Sequence, residues 1–266
     1  AGEILDNPNE DWIDTPTQKV FGLDDDSWET IEIWIPYVKR VFMTGGEPTI
    51  IKRNLDYIDR IIETGHSKEV ELIFTTNATN INKKFIEASK KFKSVSFNVS
   101  IDAVGELANY IRNPSDWKTI EKNMHLLHEN GMGVSFNTTI QWLNMTRLNE
   151  VFDYLKNSRL PFGGIWFQLV TDPFYLDPIY APEFMKQKCI NDIEHFLLDP
   201  YLNDEKHSNI LSGQLKTSLI ETKNFLAKNL QNVKHTKEFL KRMAILDRIR
   251  NQDLFQVLPE LKQIGG

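Results

Sequence analysis

The sequence predicts an α/β fold, a parallel sheet or an open or closed barrel, followed by an all-helical C-terminal extension. Three observations carry this expectation. Five short segments rich in β-branched and aromatic residues begin near residues 38, 70, 94, 133 and 164. Their spacing of 24 to 39 residues leaves room for a right-handed crossover helix between successive strands. After Pro182 the alternation stops, and only helical periodicity remains.

Along the chain, the stretch to about Asp26 is rich in Asp, Asn, Pro and Thr and has no sustained period, so it reads as extended or loop. It begins with Ala1 rather than Met, a hint that something upstream has been removed. A helical stretch runs from Ser27 to Trp34, Pro36 breaks it, and Val38–Thr44 is the first strand. Asn54–Glu63 is amphipathic, with Leu55, Ile58, Ile61 and Ile62 on one face, and Val70–Thr75 is the next strand. Asn82–Phe92 carries Phe85, Ile86 and Phe92 and leads to the strand Ser94–Ser100. Trp117–Glu129, with Ile120, Met124 and Leu127, precedes the strand Gly133–Ile140. Thr146–Lys156, with Leu148, Phe152 and Leu155, precedes Gly164–Val170. Helices then cover about Pro182–Leu198, Ser208–Leu230 and Thr236–Ile249. The expected organisation is a loop segment and helix over residues 1–37, a barrel over 38–180 and a helical extension over 181–266.

At 266 residues, 41% hydrophobic and 26% charged, the chain is an ordinary globular one and neither disordered nor fibrous. A net charge of −6 gives no reason to expect a nucleic-acid or anionic-membrane partner. No apolar run approaches the ~20 residues that span a bilayer, and the acidic start does not resemble a signal peptide. A cytoplasmic location is the expectation. Oligomeric state leaves no mark on the sequence. Cys189 is the single cysteine, which excludes an internal disulfide, a Cys-based zinc site and an iron–sulfur cluster held by this chain.

Candidate ligand-binding residues recur where each strand ends, which is where an α/β fold places its ligands. After the first strand come Gly45, Gly46, Glu47 and Pro48: two glycines that admit close backbone approach, a carboxylate suited to an ammonium group, and a proline that sets the next turn. On spacing alone, a ligand-free turn opening a helix is the reading these residues favour. Thr76 and Asn77 end the second strand, as hydrogen-bonding groups or as a helix-capping loop. Ser100 and Asp102 end the third and point to one side, with Arg112 ten residues on. Ser100 with Arg112 suits a carboxylate; Asp102 with Arg112 would instead be a structural ion pair at the sheet rim. Asn137 and Thr139 lie on one face of the fourth strand, where burial without partners is costly. The fifth strand offers Gln168, with Trp166 two residues before it. His125 and His128 lie three apart on a helix with no third ligand nearby, so they read as solvent-facing. No residue is assigned a catalytic or metal-ligating role.

The Gly45-Gly46-Glu47-Pro48 run after a short strand, with Thr76-Asn77, Ser100-Ile101-Asp102-Ala103 and Arg112 around the next two, resembles the radical S-adenosylmethionine (AdoMet) superfamily. The likeness spans about Val38–Val170 and is nearest to peptide-modifying members related to the twitch and SPASM branch. It implies a partial (βα)6 TIM-like barrel, here missing its first βα unit. It also implies that Gly45, Gly46 and Glu47 hold the methionine amine of AdoMet, with Ser100 and Arg112 near the carboxylate and Asn137 near the ribose or adenine. In such enzymes a [4Fe–4S] cluster cleaves AdoMet reductively, and the 5′-deoxyadenosyl radical abstracts hydrogen from substrate, a peptide in some members.

One departure is large. The family carries a Cys-x3-Cys-x2-Cys loop upstream of the Gly-Gly-Glu-Pro run, and no cysteine precedes Val38 here. The expectation is therefore the core and C-terminal region of a radical AdoMet enzyme, with the cluster loop lost by truncation and radical chemistry silent in this chain. Two other classes compete: a non-catalytic α/β module that binds a small molecule or peptide, and a barrel hydrolase or lyase with Glu47 and Asp102 as acid and base.

Overall fold

The computed structural model describes residues 25–203, 209–228 and 233–264. Most of the N-terminal stretch expected to be loop lies outside the described residues, as do the ends of the stretch expected to be helical over 208–230. The chain divides into two compact units, residues 1–38 and 39–266. In the first, helix α1 (Asp25–Ile33) is followed by a 3-10 turn at Ile35–Tyr37 that starts on Pro36, with the Trp34 and Tyr37 rings edge to face at 6.4 Å.

The second unit is built on five strands, β1 (Arg40–Met43), β2 (Glu71–Thr76), β3 (Ser94–Ser100), β4 (Gly133–Ile140) and β5 (Ile165–Leu169), all parallel and ordered 1-2-3-4-5. Sequential parallel order requires a crossover at every step. These are α2 (Lys52–Glu63), α3 (Lys83–Ser89), the pair α4 (Gly105–Ile111) and α5 (Trp117–Glu129), and α6 (Leu148–Asn157). Side chains set the helix starts: Asn82 Oδ1 accepts from Phe85 N–H, and Asp116 accepts from the Thr119 N–H and hydroxyl. Gly131, in the left-handed region at φ 77°, follows the end of α5. The extension comprises α7 (Glu183–Leu197), α8 (Asn209–Leu226), α9 (Val233–Arg250), α10 (Leu254–Val257) and a closing 3-10 turn, Pro259–Ile264. Among the described residues no helix is long and apolar enough to cross a membrane.

Period-two alternation gives the sheet two unlike faces. One is apolar. Leu72, Phe74, Phe97, Val99 and Phe136 are wholly buried, and Phe74 and Phe97 stack at 5.1 Å with Phe85 of α3 edge-on to both. Toward β5 the same layer continues through Phe167, Phe152 of α6 and Phe196 of α7, the last two stacked at 4.1 Å. The other face carries, in register, Thr75–Asn98–Ser135, Ser100–Asn137–Trp166 and Thr139–Gln168, and is polar and partly open. The β5 edge is met by α8, whose Ser218 hydroxyl donates to the Phe167 carbonyl at 3.3 Å.

The extension returns across the loops that leave β3, β4 and β5. The Tyr110 hydroxyl of α4 donates to Asp247 of α9 at 2.8 Å, and burial together with this bond raises the phenol pKa. Trp142 packs on Phe239 and donates its indole N–H to the Asp177 carbonyl. Arg147 forks onto both oxygens of Glu260 at 2.6 and 2.9 Å.

Candidate functional site

Glu47 is the centre of the first cluster. Gly45 and Gly46 adopt φ of 84° and 55°, a left-handed pair that side chains with a Cβ resist, and they turn the chain so that Glu47 faces the end of β2. Its Oε1 accepts from the Thr49 hydroxyl at 2.6 Å, the Thr76 hydroxyl at 2.6 Å and, more weakly, the Thr49 N–H at 3.3 Å. Its Oε2 accepts the Asn77 N–H at 2.9 Å. The carboxylate thus ties the loop after β1 to the end of β2. Pro48 is buried behind it. Asn77 caps its own turn, with Oδ1 accepting from the Thr79 N–H and hydroxyl.

Asp102 is the centre of the second. The end of β3 and the end of β4 meet through it: Oδ1 accepts the Thr139 N–H at 3.0 Å, and Oδ2 pairs with the Arg112 guanidinium at 2.8 Å. Helix α4 turns the chain between these two residues, and it was not anticipated from sequence. Asn144, buried in the turn after β4, donates to the Asp102 and Thr139 carbonyls and accepts the Gln141 N–H. The sequence left open whether Arg112 serves Ser100 or Asp102; the structure pairs it with Asp102. A carboxylate committed to an ion pair and an amide is a poor general base, which weighs against Glu47 and Asp102 as an acid/base pair.

Two polar atoms here are buried and have no hydrogen-bond partner among the described residues: Arg112 Nε and Asn137 Oδ1. Asn137 stands beside Ser100 on the open face, and Gln168 stands beside Thr139, more exposed. The candidates from all five strands therefore line one edge of the sheet. Trp166 departs from this. Its indole lies back over Gly164, where a Cβ would come within 2.0 Å of the ring, so it leans toward the opposite end of β5. Three contributors went unnoticed in the sequence: Ala78, Asn123 and Asn144. Each has a partner remote in the chain, Asn123 for Ala78 and Asp102 for Asn144, which local pattern does not mark.

The residues fit a zwitterionic ligand such as AdoMet, with a carboxylate acceptor for an ammonium, an unmatched guanidinium N–H for a carboxylate and an unmatched amide oxygen for a hydroxyl or amine. They do not fit an iron–sulfur cluster. Cys189 lies on α7, fully buried, and burial pushes its thiol well above the ordinary range, while a cluster takes several thiolates. Among the described residues no group of three or more His, Cys, Asp or Glu is placed to hold a metal ion.

Comparison with known proteins points the same way. The Fe-coproporphyrin III synthase of Methanosarcina barkeri (strain Fusaro / DSM 804) is 26% identical over 125 residues, which is 46% of this chain and 30% of that protein. Native anSMEcpe with bound AdoMet shares the fold at a TM-score of 0.52 and 17% identity, over 69% of this chain and 54% of its own. The same protein with bound AdoMet and Cp18Cys peptide gives a TM-score of 0.51. This chain therefore spans about a third of the curated relative and about half of these structures. The sequence model of the radical SAM superfamily matches residues 24–155, and through that segment the chain belongs to the radical SAM superfamily.

Proposed function

We propose that this chain is the AdoMet-binding core of a radical enzyme. The observation that carries the reading is the pair of unmatched buried atoms, Arg112 Nε just past α4 and Asn137 Oδ1 on β4. Burying a polar atom without a partner costs roughly 1–3 kcal/mol, and a bound ligand removes that cost. Glu47 would accept the ligand's ammonium through Oε2, which has one protein donor against the three on Oε1. Arg112 would give its Nε–H to the carboxylate while Asp102 holds the guanidinium from the other side. Asn137 would accept from the ribose or adenine. Gly45 and Gly46 keep the approach to Glu47 free of side chains, and Pro48, Thr76, Asn77, Ser100 and Gln168 shape the surrounding edge.

When bound with a reducing [4Fe–4S] cluster, AdoMet supplies a 5′-deoxyadenosyl radical for hydrogen abstraction. With Cys189 alone and buried, this chain is not assigned the cluster or the electron transfer, and by itself it is silent in radical chemistry. Peptide is the substrate class we propose, on the precedent of the anSMEcpe structure that holds one.

Calorimetric titration of the chain tests the binding. AdoMet is expected to bind, and Glu47→Gln to weaken it; no heat with AdoMet, or equal binding of unrelated amines, would overturn the reading. Anaerobic reconstitution with iron and sulfide tests the assignment of silence. A near-stoichiometric [4Fe–4S] spectrum would sink it.

A further inference from the structure

We propose that Thr76 is a positioning residue that aims Glu47 at the ammonium group of the ligand, and that the left-handed turn at Ala78, anchored by Asn123, holds Thr76 in place. The inference rests on the AdoMet reading above. Thr76 shares its face of β2 with Leu72 and Phe74, both wholly buried, and its own exposure is 2%. It therefore points into the helix layer, away from the open face, and cannot itself touch a ligand there. A hydroxyl in an apolar column needs a reason, because packing alone would select an aliphatic residue. Its reason is Glu47: the Thr76 hydroxyl donates to Oε1 at 2.6 Å.

The direction of that hydroxyl is itself controlled. Thr76 Oγ1 accepts the Ala78 N–H at 2.9 Å, which occupies a lone pair and turns the hydrogen toward Glu47. Ala78 supplies the N–H from a backbone at φ 55°, where an alanine costs roughly 1–2 kcal/mol. Such strain persists only where neighbours enforce it. The enforcing group is Asn123 of α5, buried, whose amide donates to the Ala78 carbonyl at 2.8 Å. The chain of contacts runs from α5 through Ala78 and Thr76 to Glu47. Thr49 adds a second hydroxyl to the same Oε1, so the carboxylate cannot rotate and Oε2 is the oxygen left to meet a cation.

The test is calorimetry on the full 266-residue chain with two ligands, AdoMet and its analogue lacking the α-amino group. Thr76→Val should weaken AdoMet about tenfold, the scale of one charge-assisted hydrogen bond, and leave the deaminated analogue within about twofold. Thr76→Ser, which restores the hydroxyl, should return AdoMet binding to the parent value. Asn123→Ala should give a smaller loss with the same selectivity for the amino group, and it decides the matter if Thr76→Val does not fold. Equal weakening of both ligands, or no weakening of AdoMet, overturns the positioning role. If Glu47→Gln weakens AdoMet while Thr76→Val and Asn123→Ala do not, this inference alone fails. If Glu47→Gln changes nothing, the ammonium site falls, and the positioning role with it.

Discussion

The two faces of the sheet obey different rules. On the covered face, Leu72, Phe74, Phe97, Val99 and Phe136 are wholly buried, the three Phe rings against Phe85 of α3 or Tyr154 of α6, and the energy is in packing. On the open face, Thr75, Asn98, Ser100, Asn137 and Gln168 stand side by side across the strands. All-parallel sheets ordinarily bury both faces under apolar side chains. A polar, half-open face in such a sheet is unfavourable for folding, so under the proposed binding role stability and binding should separate cleanly between the two.

The largest effect is expected on the covered side. Phe97→Ala removes a ring stacked on Phe74 and edged by Phe85, and should cost about 3–5 kcal/mol in urea denaturation. A cost below about 1 kcal/mol would break the comparison. The helices behind this face also bury polar side chains, Asn123 and Lys186 among them. Lys186 on α7 is fully buried, and its amine has no hydrogen-bond partner among the described residues. Burial holds its pKa below the ordinary 10.5, with Glu183 partly opposing. Lys186→Met should therefore stabilise by about 1–3 kcal/mol at neutral pH. Between the lowered native pKa and 10.5 the unfolded chain binds the proton that the native chain does not, so the parent's stability should rise with pH there. The Met variant should lose that slope, which melting curves across alkaline pH would reveal.

A smaller effect tests a place where the open face is tightly packed. Gly164→Ala drives a methyl group into the Trp166 indole and should cost about 1–3 kcal/mol. The double variant with Trp166→Ala should recover most of that loss in a double-mutant cycle. Elsewhere on this face stability should hardly move. Gln168→Ala should stay within about 0.5 kcal/mol. Asn137→Ala deletes a buried acceptor that has no partner and should leave the melting temperature unchanged or slightly raised, while weakening AdoMet severalfold in calorimetry. An Asn137→Ala chain that melts well below the parent and still binds AdoMet as tightly would invert the comparison.

Much of the fold was legible from local pattern. The bounds of β3 and β4 follow directly from runs of alternating β-branched and aromatic residues between turns, and α5 from its apolar face of Ile120, Met124 and Leu127. The first strand is shorter than Val38–Thr44 suggested, running only from Arg40 to Met43. Helix α3 ends at Ser89, short of Phe92, because Lys90–Lys93 turns directly into β3. Helix α4 escaped notice although α3, equally short, did not: no capping side chain precedes α4, whereas Asn82 opens α3. The Glu47 cluster was legible as composition, though its partners were not.

The sequence by itself determined which residues share a face and at which end of the sheet the polar ones gather, because side-chain alternation and the βα rhythm are properties of neighbours in the chain. Only the tertiary structure decided that Glu47 meets Thr76 and Asn77, that Arg112 spends one nitrogen on Asp102 and keeps another unmatched, and that Ala78 is bent by Asn123. Those partners lie from 10 to 45 residues apart. Which of them come within hydrogen-bond reach depends on how β1 registers on β2 and β3 on β4, and on where the helices between them set the chain down.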